Sequence, residues 1–190
     1  PRGDIFARVA CTGGHNGHAL FHHDLGKLIC QRAARADEQA PQLLLSIHGN
    51  SAANGSTASG FECYPTVPGR TWHQESFYFA QLLAKGMQAA GASLRGRGGV
   101  RYIYYLENDQ KQLVESTHTE VRAERSFTLL EDVNCPAVLA EQCFVTNEAD
   151  VAQFGSDEGC KKTARVYYEA ICAYFGTQPQ AEQLAGFTLN

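Results

Sequence analysis

Apolar positions along the chain follow two periodicities in alternation, and this pattern predicts an α/β fold. Runs rich in β-branched, aromatic and leucine residues predict strands at 4–12, 43–47, 60–64 and 135–147. Between them, apolar residues recur at helical spacing in segments that begin near Asp24, near Phe79 and near Ser156. Strands and helices that alternate in this way favour a single-domain, three-layer sandwich. We expect a twisted, mainly parallel sheet with helices on both faces.

The same pattern sets the domain organisation. Residues 1–176 form one predicted catalytic domain, in which 1–24 hold an N-terminal strand and a histidine-rich loop, and 177–190 form a C-terminal tail. Between the second helix and the last strand, residues 107–125 are strongly polar and charged. We expect that segment to be a solvated surface helix or loop.

Composition narrows the range of partners. The formal net charge of −4 gives no basic stripe, so neither nucleic acid nor an anionic membrane is an expected partner. No apolar run is long enough for a membrane span, and no targeting leader opens the sequence.

The seven cysteines include no CxxC pair, which favours buried reduced thiols over a disulfide framework.

Two candidate functional residues follow apolar strands. His48 comes directly after the strand at 43–47, and Glu141 lies towards the end of the strand at 135–147. Reacting groups in α/β sheets gather beyond the carboxyl ends of the strands, so we expect both side chains at the same edge. A histidine there can bind a divalent metal, and a carboxylate can take a proton from water. Each residue alone also fits a purely structural role.

The surrounding segments resemble the zinc-dependent N-acetylmuramoyl-L-alanine amidases, which cut bacterial cell wall. In that family an arginine-bearing helix leads into a strand that ends Ser-Ile-His-x-Asn, and "RAARADEQAPQLLLSIHGN" at 32–50 matches this arrangement. The later family elements follow in order: "GFECY", a helix, "RGRG", the strand-like "SFTLLEDVNCP" and "PAVLAEQCFVTNEADV". The resemblance covers about residue 25 to the end of the last helix.

The resemblance implies a function. His48 corresponds to a zinc ligand and Glu141 to the catalytic glutamate. The implied reaction is hydrolysis of the amide between N-acetylmuramic acid and the first L-alanine of peptidoglycan, with zinc-bound water as nucleophile and Glu141 as general base and acid. Such an enzyme is secreted or wall-associated, as an autolysin is, or is phage-encoded and released at lysis, as an endolysin is.

The sequence departs from the family pattern at its beginning. The family's first strand and first helix, which supply two further zinc ligands, have no obvious counterpart here, and a catalytic zinc usually has three protein ligands. One explanation is that those elements belong to a separate fragment. A second is that the cluster "GGHNGHALFHHD" supplies replacement ligands, namely His15, His18, His22, His23 or Asp24. A third is that the metal has been lost.

Two alternative functions follow from these departures. A metal-free domain on the same fold would be a peptidoglycan-binding or interaction module. An unrelated zinc peptidase fits less well, since the sequence has no HExxH motif.

The resemblance to the amidases also suggests an inhibitory lid. Glu115, Glu120 and Glu124 occupy the position of an inhibitory helix that covers the zinc in some relatives, so 107–125 is a candidate lid.

Overall fold

A computed structural model describes residues 33–107 and 109–187. Its elements, in chain order, are β1 (Leu44–Asn50), β2 (Glu62–Pro65), α1 (His73–Ala89), β3 (Arg101–Tyr105), β4 (Lys111–Glu115), α2 (Thr128–Asp132), β5 (Ala137–Phe144), α3 (Glu148–Asp150), a π-helical turn (Val151–Gly155), α4 (Asp157–Tyr174) and α5 (Ala181–Ala185). Residues 33–37 are also helical, as the apolar spacing before Pro41 predicts.

Strand β5 lies at the centre of the described sheet. It pairs with β1 in parallel and with β2 antiparallel, so the order is β1-β5-β2. Strands β3 and β4 form an antiparallel hairpin. An isolated parallel bridge between Cys63 and Val100 sets this hairpin beside β2. The α/β class is therefore confirmed, with a described sheet that mixes parallel and antiparallel pairs.

Two hydrophobic cores cover the two faces of the sheet, as expected for three layers. Helices α1 and α4 pack on one face, where Phe79, Leu83 and Val166 belong to the same buried core as Val138 of β5. Residues 33–37 and α2 lie on the other face. The second core there is built from Ala33, Tyr64, Ile103, Leu129, Leu130, Val133, Cys135, Ala137 and Leu139. Burial of a side chain as large as Phe79 stabilises the fold by roughly 1.5–3 kcal/mol.

The polar segment at 107–125 differs from its predicted structure. Its described residues contain no helix, because 111–115 form β4 instead. Leu113 and Val114 there pair with Ile103 and Tyr102 of the tyrosine-rich strand β3. The charged residues that suggested a solvated helix lie in the hairpin and in the loop that follows it. An inhibitory helix over the site is therefore absent from the described part of this segment.

Four other sequence expectations can be compared with the structure. The segment "SFTLL" is not a strand, since Thr128–Asp132 is helix α2 with Leu129 and Leu130 buried. The tail contains the short helix α5. The described cysteines have free thiols, and Cys160 alone of these is exposed, so the prediction of buried, unbridged cysteines is largely confirmed. Cys11 and Cys30 lie outside the described residues. None of the described helices is long and apolar enough to cross a membrane.

Candidate active site

The two candidate residues lie side by side on the sheet. His48 of β1 is the register partner of Glu141 of β5, and Glu141 is also the partner of Glu62 of β2. Register partners share a face of the sheet, so these side chains form one transverse row. The same face carries Leu139 and Tyr64 of the second core. The sheet thus brings together the histidine and the carboxylate that the sequence singled out, and adds a second carboxylate.

The His48 ring is held by its neighbour two residues back. The Ser46 hydroxyl lies 2.8 Å from His48 Nε2, and Ser46 itself is buried. A hydrogen bond to one ring nitrogen fixes the orientation of an imidazole. Metal-ligating histidines are usually oriented in this way.

Glu141 has the electrostatic properties of a proton-transfer group. The pKa of the Glu141 carboxyl group is raised from 4.5 to about 7 in total. Burial is the largest cause and the neighbouring Glu62 carboxylate is the second, while Lys111 lowers the pKa against both. Its buried Oε2 has no hydrogen-bond partner among the described residues. A carboxyl group with a pKa near neutrality can both accept and donate a proton. The Glu141 side chain is therefore suited to acid–base chemistry on a molecule bound beside it.

Glu62 is held very differently from Glu141. It is buried, and its Oε1 accepts from Asn50 Nδ2 at 2.8 Å and lies 3.0 Å from Arg95 Nε. Its Oε2 accepts from Arg101 Nη1 at 3.0 Å. A buried carboxylate paired with two guanidinium groups is a fixed negative charge in the structure. Sequence reasoning missed Glu62, although a glutamate inside the apolar strand "GFECY" is an unusual buried charge.

The charged row continues into the β3–β4 hairpin. Arg101 Nε lies 3.1 Å from Glu115 Oε1, and Glu115 Oε2 also accepts from the backbone N–H of Arg97 at 2.9 Å. Glu124, another proposed lid carboxylate, is ion-paired with Arg122. Glu115 and Glu124 thus form partly buried ion pairs in the hairpin and the following loop.

The described residues supply only part of a metal site. No three His, Cys, Asp or Glu side chains gather as a metal-binding group within the described ranges. The Glu62 oxygens are engaged by Asn50 and the arginines, so His48 and Glu141 are the members of the row that could contact a metal ion or its bound water. The other candidate ligands, His15, His18, His22, His23 and Asp24, lie outside the described residues. The donor set fits one ligand of a zinc centre with an adjacent base, and it is not a complete centre.

The chain is similar in sequence to known proteins. Residues 22–173 match the model of a protein family described as N-acetylmuramoyl-L-alanine amidase. The uncharacterized protein YqiI of Bacillus subtilis (strain 168) is 30% identical over 148 residues, which cover 76% of this chain and 57% of YqiI. The chain therefore spans a little over half the length of that relative.

Solved structures share the fold. The N-acetylmuramyl-L-alanine amidase Ami1 of Mycobacterium smegmatis matches with a TM-score of 0.59 and 24% identity, over 79% of this chain and 61% of that one. The catalytic domain of the amidase CwlV of Bacillus (Paenibacillus) polymyxa var. colistinus matches with a TM-score of 0.57 and 22% identity, over 79% of this chain and 66% of that one. The N-acetylmuramoyl-L-alanine amidase of Clostridium difficile 630 matches with a TM-score of 0.56 and 21% identity, over 80% of this chain and 67% of that one. At these identities the matches establish the fold.

Proposed function

The chain belongs to the N-acetylmuramoyl-L-alanine amidase family, and from that premise we propose that it hydrolyses the amide between N-acetylmuramic acid and L-alanine in peptidoglycan. The observation that carries the proposal is the pairing of His48 with Glu141, a half-buried carboxyl group with a raised pKa and one buried oxygen that has no hydrogen-bond partner among the described residues. Action on peptidoglycan would be at the cell wall or outside the cell. The enzyme would be secreted by its host or released at phage lysis.

Glu141 would perform the proton transfers. As a base it takes a proton from the attacking water, whose oxygen forms a bond to the amide carbonyl carbon. The same proton then passes from Glu141 to the leaving nitrogen as the C–N bond breaks. The products are a free lactyl carboxyl group on the sugar and a free amine on L-alanine. A pKa of about 7 suits both halves of this cycle at neutral pH.

We further propose that His48 is a zinc ligand, with Ser46 orienting its ring. Zinc bound there would polarise the amide carbonyl and lower the pKa of its bound water to about 7. Because the described residues contain no complete metal-binding group, further ligands would come from residues outside the described ranges. His15, His18, His22, His23 and Asp24 are the candidates within this chain.

The second candidate function is a metal-free module that binds peptidoglycan. It is favoured by the single histidine in the described row and by the absence of a metal-binding group among the described residues. This candidate and the enzyme differ in what Glu141 does. A binding module needs only the shape of that side chain, whereas the enzyme needs its proton.

Replacement of the base separates the two candidates. We expect Glu141→Gln to lower the rate of amide cleavage about 100-fold or more, since general acid–base catalysis contributes at least that much. The substrate is a soluble muropeptide incubated with zinc, and cleavage is followed by the appearance of the L-alanine amine. Glu148→Gln, at an exposed position on α3, is the matched control and should retain full activity.

The metal has its own measurement in the same preparation. We expect His48→Ala to lose zinc during dialysis that the unaltered chain withstands, with zinc quantified per folded chain. His118→Ala is the control, because His118 lies in the loop after β4. Equal zinc retention by both variants would remove His48 as a ligand. Unchanged muropeptide affinity in Glu141→Gln, with no cleavage by either protein, would favour the binding module.

A further inference from the structure

Helix α3 contains a buried carboxylate that the proposed mechanism does not use. Asp150 is 7% exposed, and it accepts hydrogen bonds from three neutral donors. The Ser59 hydroxyl donates to its Oδ1 at 2.5 Å, and the backbone N–H groups of Gly60 and Phe144 donate to its Oδ2 at 2.9 Å and 2.8 Å. Hydrogen bonds from backbone N–H groups to a carboxylate are among the stronger ones in proteins. Asp150 is therefore a firm attachment point for the two segments that carry these donors.

Those two segments lead directly to the row of candidate active-site residues. Phe144 is the last residue of β5 and lies three residues after Glu141, and Gly60 lies two residues before Glu62 of β2. Glu62 and Glu141 are register partners on antiparallel strands. One buried carboxylate thus joins the end of the strand that carries the proposed base to the beginning of the strand beside it.

A second side chain at the start of α3 makes the same connection. Asn147 Nδ2 donates to the Ala58 carbonyl oxygen at 3.2 Å. Asn147 Oδ1 accepts from the backbone N–H groups of Ala149 and Asp150 and so caps the helix. Asn147 therefore orients α3, and with it the Asp150 carboxylate, against the segment that precedes β2.

Strand β5 is irregular directly after Glu141. His48 pairs with Glu141 and Asn50 pairs with Phe144, so two steps along β1 correspond to three steps along β5. An extra residue of this kind disrupts the strand pairing locally, and such bulges occur next to active sites, where they re-aim side chains. The Phe144 N–H group at the far end of this bulge is the one that donates to Asp150. Asp150 therefore fixes the backbone on the carboxyl side of Glu141.

We propose that Asp150 is a positioning residue, which holds the Glu141 carboxyl group beside His48 by fixing the bulge that follows Glu141. The inference rests on the proposed function, in which Glu141 transfers the proton. Loss of the Asp150 carboxylate would leave the N–H groups of Gly60 and Phe144 buried without partners, and the backbone would shift to satisfy them. A displacement of about 1 Å in a reacting group can lower a rate about 100-fold.

The first test compares two substitutions of Asp150 by their kcat and KM on a soluble muropeptide with zinc. We expect Asp150→Ala to lower kcat about 10–100-fold and to change KM less than about twofold, because the buried Asp150 side chain contacts only the protein. Asp150→Asn should keep kcat within about threefold of the unaltered chain, since its amide oxygen can accept from both N–H groups while its amino group donates to the Ser59 oxygen.

Two further variants separate positioning from a general loss of stability. Thr163→Ala removes a buried hydroxyl on α4 that donates to the Gly159 carbonyl oxygen at 2.8 Å. It should lower the urea midpoint of unfolding without changing kcat per folded chain. Ser59→Ala removes only the hydrogen bond to Asp150 Oδ1 and should lower kcat by a smaller factor, about threefold. If Asp150→Ala does not fold, an unchanged kcat in Ser59→Ala would overturn the inference.

A crystal structure of Asp150→Ala gives a readout that does not depend on cleavage. We expect the Glu141 carboxyl group to be displaced from the His48 ring by about 1 Å or more. A Glu141 side chain that stays in place, or equal losses of kcat in Asp150→Ala and Asp150→Asn, would overturn the inference and leave the amidase proposal intact. A displaced Glu141 in a protein whose unaltered form cleaves no muropeptide would support the positioning role and reject the amidase.

Discussion

Glu141 and Glu62 lie side by side on neighbouring strands, and their partners give them different roles. Glu62 is fixed by Asn50, Arg95 and Arg101, whereas one oxygen of Glu141 is buried without a hydrogen-bond partner in the described structure. Two adjacent carboxyl groups in unlike surroundings are a common way to obtain one acid–base group at neutral pH. The ion-paired glutamate thus helps to keep a proton on the other.

The pH dependence of stability tests this arrangement in the chain without bound metal. The folded-state pKa of Glu141 is raised from 4.5 to about 7, so the folded chain holds a proton that the unfolded chain has lost between these values. The stabilisation that the Glu141 carboxyl group adds to the free energy of unfolding is therefore fully present below pH 4.5 and is lost as the pH rises through 7. Glu141→Gln cannot lose that proton.

We expect Glu141→Gln to become more stable relative to the unaltered chain as pH rises from 4.5 to 8. The gain is on the order of 1–3 kcal/mol, because one unit of pKa corresponds to about 1.4 kcal/mol. Urea unfolding at several pH values in the presence of a chelator measures it. A difference between the two proteins that does not change with pH would mean that Glu141 titrates in the folded chain as it does in water.

The sequence singled out His48 and Glu141 as candidates, which the sheet places side by side, and it did not single out their neighbours. Each follows a run of apolar residues within its strand, which is a signal that can be read locally. Glu62 and Lys111 act on Glu141 through strand pairing and hairpin placement, which are contacts between positions far apart in the chain. Such pairings depend on register, and the hydrophobic pattern gives no register for a polar hairpin.

The helices were more predictable than the strands because their end signals are local. Ser156 caps α4, and its hydroxyl accepts from the backbone N–H of Gly159 at 3.1 Å, as expected from its position before the apolar repeat.

The helix α2 is the exception, because its sequence wrongly predicted a strand. Its Glu131 carboxylate accepts from the backbone N–H of Ser126 at 3.0 Å and pairs with Arg70, contacts that hold a short turn where the apolar run alone suggested extended chain.

The start of α4 packs tightly against the preceding π-helical turn. A Cβ atom on Gly159 would lie 2.6 Å from Phe154 Cα and 2.7 Å from the Gln153 carbonyl oxygen, both of which are backbone atoms. We expect Gly159→Ala to lower the free energy of unfolding by about 1–3 kcal/mol, the usual cost of overpacking. Gly98→Ala is the control, since nothing lies within 4 Å of its added Cβ. Denaturant unfolding of both variants measures the difference, and equal stability would show that the backbone there moves freely.

Across the whole molecule, the three-layer α/β architecture followed from the alternation of apolar runs. The mixed strand directions did not follow from it, because a short buried strand has the same composition in either direction. The antiparallel placement of β2 beside β5 is what sets Glu62 opposite Glu141. The feature that tunes the proposed base is therefore a property of topology rather than of any local motif.

Identification of the reaction products tests the proposed function most directly. The intact chain is incubated with a soluble muropeptide and one equivalent of zinc, and the masses of the products are measured by mass spectrometry. We expect one product that carries N-acetylmuramic acid with a free lactyl carboxyl group and one stem peptide that begins with L-alanine, and we expect both to disappear after chelation. Cleavage within the glycan or within the stem peptide, or an intact muropeptide bound by the zinc-loaded chain, would contradict the assignment of this chain as a peptidoglycan amidase.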